Sequence, residues 1–332
     1  MPEDKLKCLL CKSTNIAVLE RIRTSDIVRC YNRFFHCSIQ NELKGYKELQ
    51  YCRCNDCDLR FYLPAITGSE TFYESLQVNG WYYQDDKPEY QSASTRITQT
   101  DKVLEVGCGK GAFARYVPTY NYTGLEFSGK AVHAAAAQGL HVVQESAESH
   151  AIAHANHYDV VCSFQMLEHV SGVHSIIEAF VTALKPCGLL VICVPSIETF
   201  IGMANNAVLN MPPHHVTHWT DEALRNISRI FPVELIELEH ESVSDMHKSG
   251  YAELLVRRAI NNFIGRKQKT LDLSLTERLL RKLTYHLSKV LVHGLDDSRI
   301  LPWGHSVIAV FRKSHATAAT DPAAEHFRET AS

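Results

Sequence analysis

No stretch of this chain stays apolar for long. The longest run, residues 188–195, falls far short of the ~20 residues that a helix needs to cross a bilayer. There is no excess of cations either. Thirty-four Lys and Arg stand against 37 Asp and Glu, a formal net charge of -3. Domains built to grip a phosphate backbone are usually strongly basic, so nucleic acid is not the expected partner. A charged-then-apolar leader is missing from residues 1–30, so no secretory signal is expected and the cytoplasm is the expected compartment. The 11 cysteines are an odd number with no export signal, which favours metal ligation or buried thiols over a disulfide framework. What is present is ordinary for a globular protein with a real core: 45% apolar and 21% charged residues over 332 positions. That length predicts about two domains.

Seven of the eleven cysteines fall within residues 1–65, a segment too small to be stabilised easily by core burial alone. Among them Cys8-Leu-Leu-Cys11 and Cys54-Asn-Asp-Cys57 form two C-x-x-C pairs with 42 residues between Cys11 and Cys54. Each pair presents two thiolates to one tetrahedral ion, and the two together predict a closed structural zinc site. Redox chemistry is the alternative, but it would not need two copies. Cys30, Cys37 and Cys52 are expected to be non-ligands. Residues 66–98 carry Phe72, Tyr73, Trp81, Tyr82, Tyr83 and Tyr90 and read as an aromatic connecting arm.

From residue 99 to 313 short β-branched runs alternate with helical stretches. Strands are predicted over 102–106, 122–127, 141–144, 158–163 and 188–194, with helices over 112–117, 129–138 and 173–184. This alternation predicts an α/β, Rossmann-like doubly wound sheet. A further helix opens at Thr220, and last strands are expected over 233–239 and 306–312. The roughly 65 residues between those strands are too many for a structureless loop. A helical insertion over 248–303 is therefore expected, with helices at 252–263 and 275–291, and a disordered tail over 314–332.

The sharpest motif is Val103-Leu-Glu-Val-Gly-Cys-Gly-Lys-Gly111, a strand running into three glycines. Glycines there let backbone amides approach a ligand closely. Nineteen residues past Gly107 stands Glu126, placed to accept both hydroxyls of a ribose. Gly107, Gly109 and Ala112 also satisfy the dinucleotide fingerprint. However, Glu105 two residues before the first glycine would be a poor neighbour for a pyrophosphate and a good one for an ammonium group. Together with Tyr158-Asp-Val-Val-Cys-Ser-Phe-Gln-Met-Leu-Glu-His169 and Ala183-Leu-Lys-Pro-Cys-Gly-Leu-Leu-Val-Ile192, the loop closely resembles class I S-adenosylmethionine-dependent methyltransferases. The resemblance implies a seven-stranded sheet with an antiparallel last strand and S-adenosylmethionine as cofactor. It implies Glu105, Gly107, Gly109 and Gly111 for the methionine end, Glu126 for the ribose, Ala147 and Glu148 for the adenine, and Phe164 and Gln165 lining the pocket. At Ser146 the family more often has Asp.

A hydroxyl acceptor must lose a proton, and His is well poised to take it. The candidate bases are His169, in Leu-Glu-His, and His214, His215 and His218, in Pro212-Pro-His-His-Val-Thr-His-Trp219. Structural packing and a metal site are the other readings of these histidines. The cysteine module and the Pro-Pro-His-His stretch are similar to those of sugar and surface-polysaccharide methyltransferases, in some of which an arm residue, here Tyr83, lies near the cofactor. Sugar C-methyltransferases of that group carry a further carboxyl-terminal domain that this chain is too short to include. The expectation is therefore O-methylation of a sugar, a glycan precursor or a similar polar small molecule, phosphate-bearing in one version. C-methylation of a nucleotide-linked deoxysugar and RNA methylation using the zinc module are the alternatives. Between Lys248 and Lys289 ten cations face three acids. That stretch reads as a solvated helical lid, a surface for anionic substrate, or a peripheral contact with an anionic membrane over 248–290.

Overall fold

The computed structural model describes residues 6–77, 86–291 and 303–315. Tyr82 and Tyr83 of the arm and residues 316–332 of the tail lie outside these. Two sheets organise the chain. The first is built from β1 (Ile16–Arg23), β2 (Glu48–Cys54) and β3 (Arg60–Leu63), with α1 (Thr24–Phe35) between β1 and β2. Sequence periodicity gives little sign of these strands. The C-terminal end of α1 is marked by His36 at φ 51°, a left-handed cap. The arm supplies two short helices, α2 (Glu70–Gln77) and α3 (Pro88–Ser94).

The second sheet follows as β4 (Val103–Val106), β5 (Tyr122–Leu125), α4 (Gly129–Ala136), β6 (Val142–Val143), α5 (Ala147–Ala153), β7 (Tyr158–Phe164), α6 (Val173–Ala183), β8 (Leu184–Pro195) and α7 (Phe200–Met203). Next come β9 (Thr217–His218), α8 (Asp221–Ile230), β10 (Val233–Ser242), α9 (Asp245–Phe263), α10 (Leu275–Leu291) and β11 (Trp303–Lys313). Seven strands pair in the order β10-β11-β8-β7-β4-β5-β6, with β11 antiparallel to both of its neighbours. The chain winds outward from β4 through β5 and β6, then returns to β7 on the other side. The β4–β7 boundary is thus the switch point, where ligands of open α/β sheets bind beyond the carboxyl ends of the strands. The insertion begins at Asp245, three residues ahead of the expected start. The expected helix over 112–117 shrinks to a single 3-10 turn, Phe113–Tyr116. Val117 precedes Pro118 and so leaves the helical region, with φ −82° and ψ 121°.

The strand β9 belongs to the first sheet, whose order is β1-β2-β3-β9. Arg60 pairs with His218 and Phe61 with Thr217, while Trp219 bridges Ser196 at the end of β8. The histidine-bearing segment therefore ties the two sheets together. One core runs through both: Cys8, Leu10 and Phe61 pack in the same cluster as Trp219, Leu224 and Val194. A second cluster, around Ile27, Tyr31 and Leu49, is completed by Val208 and Met211 from beyond β8.

Candidate active site

The glycine loop leaves β4 with Gly107, Gly109 and Gly111 at φ 78°, 53° and 79°, a region that favours glycine. A Cβ on Gly107 would stand 2.8 Å from the Met166 side chain, and one on Gly111 would stand 2.2 Å from Leu140. Gly107 and Gly109 line a cleft of about 1200 Å³, whereas Gly111 shapes the turn beneath it. Glu126, one residue past β5, accepts the Gly109 amide at 2.9 Å and the Ser128 amide at 2.8 Å. Its carboxylate is thus bound into the loop and also faces the cleft. Glu105 does not line the cleft. It is buried under the loop, where it accepts the Tyr122 hydroxyl at 2.5 Å. Burial pushes its pKa up to about 8.

Ala147 and Glu148, at the start of α5, and Phe164 and Gln165, at the end of β7, line the same cleft. Ser146, where the family more often has Asp, caps α5 by accepting the Ser149 amide at 3.1 Å. Gln165 takes φ 51° and donates to the Ser306 hydroxyl at 3.0 Å, joining β7 to the last strand. The side-chain-free cradle at Gly107 and Gly109, a ribose-ready carboxylate and an apolar ring at Phe164 fit S-adenosylmethionine. Tyr83 lies outside the described residues.

The other end of the cleft is lined by His169, His214 and His215. Ligand-capable atoms of these three all lie within 4.8 Å of one another. His214 and His215 stack with ring centroids 4.5 Å apart and planes 16° apart, and His169 stands nearly perpendicular to both. His169 Nδ1 lies 2.8 Å from the His214 carbonyl, and His214 Nδ1 lies 2.9 Å from the Leu209 carbonyl. A carbonyl only accepts, so in each ring Nδ1 carries the hydrogen and Nε2 keeps its lone pair. Burial holds the pKa of His169 down at about 4. Burial, together with the neighbouring imidazoles, pushes His214 and His215 well below the usual histidine range. All three are neutral at pH 7.

His218 is not part of this group. Its Nε2 donates to the Asn210 carbonyl at 2.7 Å and its Nδ1 accepts the Tyr51 hydroxyl at 2.8 Å. Both nitrogens are committed inside the core, between Tyr51 and Tyr62, and the ring does not reach the cleft. Two residues not among the candidates named from sequence do reach it. Tyr73 comes from α2, and its hydroxyl lies 3.4 Å from His169 Nδ1. Glu168, the middle residue of Leu-Glu-His, is fully buried, with Oε1 3.6 Å from His169 Nε2. Burial pushes its pKa up to about 8, so it holds its proton at neutral pH. The Leu-Glu-His triplet was a signal for Glu168, whereas nothing in sequence singles out Tyr73.

The four expected thiols converge below the histidine segment. Cys8 Sγ lies 3.5 Å from Cys57 Sγ, Cys11 Sγ lies 3.5 Å from Cys54 Sγ, and all four sulfurs are within 4.8 Å of one another. A tetrahedral zinc with sulfur at about 2.3 Å needs sulfur–sulfur edges of about 3.8 Å, which these positions fit. Lys12 and Asp58, each one residue past a knuckle, both take φ 64°. Cys30, Cys37 and Cys52 are not in the cluster. The knuckles grip the larger sheet's helices: Asn226 donates to the Cys57 carbonyl at 3.4 Å, and the His174 amide donates to the Leu9 carbonyl at 3.1 Å.

Residues 82–236 match a family model described as a methyltransferase domain. The chain is 38% identical over 95 residues to the ubiquinone biosynthesis O-methyltransferase of Pectobacterium atrosepticum, covering 26% of this chain and 39% of that one. It spans about two fifths of the length of the curated relatives it matches. Among solved structures, an S-adenosylmethionine-dependent methyltransferase of Archaeoglobus fulgidus is 15% identical with a TM-score of 0.46, covering 73% of this chain and 100% of that one. A sarcosine dimethylglycine methyltransferase, so named provisionally, of Galdieria sulphuraria is 16% identical with a TM-score of 0.43, covering 72% and 86%. Over residues 82–236 the chain is thus similar to a methyltransferase domain.

Proposed function

We propose that the protein transfers a methyl group from S-adenosylmethionine to a hydroxyl of a polar acceptor, a sugar or glycan precursor. One observation carries this reading: a single cleft runs from the glycine loop and Glu126 to a group of neutral imidazoles, His214 and His215 buried and His169 half-buried. When bound, the cofactor supplies an activated methyl group on a positively charged sulfur. Glu126 would hold the ribose hydroxyls, while Gly107 and Gly109 allow the close approach. Near the histidines, the cleft wall would shield the acceptor from water and align it with the methyl group. Nε2 of His169 or His214, which holds its lone pair while Nδ1 bonds a carbonyl, would accept the hydroxyl proton. Support for oxygen as the methylated atom comes also from the O-methyltransferase relatives matched over part of their length. The four thiols would hold a structural zinc, with no open position for substrate.

Calorimetry with S-adenosylmethionine and NADH tests the cofactor, and labelled methyl donor offered with nucleotide sugars and glycans tests the acceptor. Heat with S-adenosylmethionine alone, and label incorporated at a hydroxyl, are the expected results. A flat titration with S-adenosylmethionine beside heat with NADH would overturn the reading.

A further inference from the structure

The helix α10 is inside out. Its inward residues are Glu277, Leu280, Thr284 and Ser288, all buried and mostly polar. Its outward residues include Leu275, Leu279, Leu283 and Val290, exposed by 72, 68, 53 and 81%. At 100° per residue these four, with Leu287, occupy one arc of about 120°. Arg278, Arg281, Lys282 and Lys289 follow on one flank of that arc, all exposed. Phe263 and Ile264, where α9 ends, are likewise exposed by 92 and 55%.

Buried ion pairs hold the polar side inward. Glu277 lies 3.5 Å from Arg257 of α9 and 3.1 Å from Arg266 of the connecting turn. The hairpin is therefore joined through charge and leaves its leucines outward, the reverse of what water favours.

We infer that this face of α10, with the end of α9, docks on an anionic lipid bilayer, lying in the interface with its leucines in the acyl boundary. Charge decides between occupants. Residues 248–289 hold ten cations against three acids. Although Arg257 and Arg266 are taken up by the inward pairs, the exposed Arg258, Lys267, Lys269, Arg278, Arg281, Lys282 and Lys289 complement an anionic headgroup layer. A second copy meeting this face about a two-fold axis would instead set Arg278, Arg281, Lys282 and Lys289 against themselves. No helix among the described residues is long and apolar enough to cross a membrane, so the contact is peripheral. The inference does not depend on which acceptor is methylated.

The test is co-sedimentation of the full chain with vesicles of phosphatidylcholine alone or mixed equally with phosphatidylglycerol. The wild type should bind the anionic vesicles at least tenfold better than the neutral ones, and should lose binding as salt rises. Leu279→Glu with Leu283→Glu should cut anionic-vesicle binding at least tenfold. Lys282→Gln with Lys289→Gln should weaken it less. S-adenosylmethionine titration and a melting curve on the same samples report fold and cofactor site separately. Failure to bind anionic vesicles, or equal binding by the leucine variant, would overturn the inference. So would a concentration-dependent dimer of the wild type that the leucine variant dissolves.

Discussion

The two ends of the cleft are made in different ways. The glycine end comes from nearly consecutive chain: β4, its loop, and Glu126 one residue beyond the adjacent strand β5. The histidine end is assembled from α2, the turn after β7, and the segment before β9, which are far apart in sequence. It is also held from below, because β9 is an edge partner of β3 and β3 follows directly on the Cys54–Cys57 knuckle. The first end is a local motif on a rigid sheet. The second depends on the thiol-held module for its shape.

The largest test of that difference removes a thiol. Metal analysis should find one zinc per chain in the wild type, and Cys54→Ser or Cys57→Ser should abolish it. It should also cost stability on the scale of zinc-finger sites, of order 10 kcal/mol, visible as a collapsed melting transition or insolubility. Under mild chelation short of unfolding, hydrogen exchange should open residues 212–219 before residues 103–126. The reverse order would mean that the histidine end does not rest on the knuckles.

Next in size are the imidazoles. His169→Ala, His214→Ala and His215→Ala should leave cofactor affinity unchanged, while turnover falls about 10²–10⁴-fold in at least one of them. His218→Ala should act differently. It takes the acceptor from the buried Tyr51 hydroxyl and leaves the Asn210 carbonyl with the Tyr62 hydroxyl alone, costing about 1–3 kcal/mol of stability in a denaturant melt. Normal turnover in all three cleft variants would remove the base from this end.

A smaller effect probes the glycine end alone. Gly107→Ala meets both a left-handed φ and the Met166 side chain. Calorimetry should find cofactor binding weakened by about 1–3 kcal/mol, with thermal stability lowered less than in the cysteine variants.

The last test is of pH dependence, where the change per pH unit is small. Glu168 titrates near pH 8 in the fold, above its unfolded range, so its contribution to stability is present in acid and is lost as pH rises from about 4.5 through 8. His169 titrates near 4, so its contribution is present above about 6.5 and is lost as pH falls towards 4. Glu168→Gln should reduce the alkaline slope by one proton's share, at most about 1.4 kcal/mol per pH unit, leaving the share of Glu105 and the acid slope in place. Melting curves from pH 4 to 9 on both proteins check this.

The same division governs what could be read from sequence. The glycine loop, Glu126 and the paired C-x-x-C motifs were legible because each is a short run whose spacing carries its chemistry. The helix α10 was legible to the residue because its apolar positions repeat, though periodicity could not say that they face outward. The strands of the first sheet were not legible, because β2 alternates poorly, with Tyr51 and Cys52 both buried. The strand β9 is only two residues long and has no period to detect. His218 resembled its neighbours in sequence, and only its pairing with Arg60 on β3 turns it into the core.

The helical hairpin leaves the sheet from β10 and rejoins it at β11. At both of those joints, residues belong to the cleft wall: Ser242 and Ser244 on the way out, His305 and Ser306 on the way back. Glu241 clasps the two joints together by accepting the Ser306 amide at 2.9 Å. Whatever anchors the hairpin therefore also bears on the cleft wall through both of its joints.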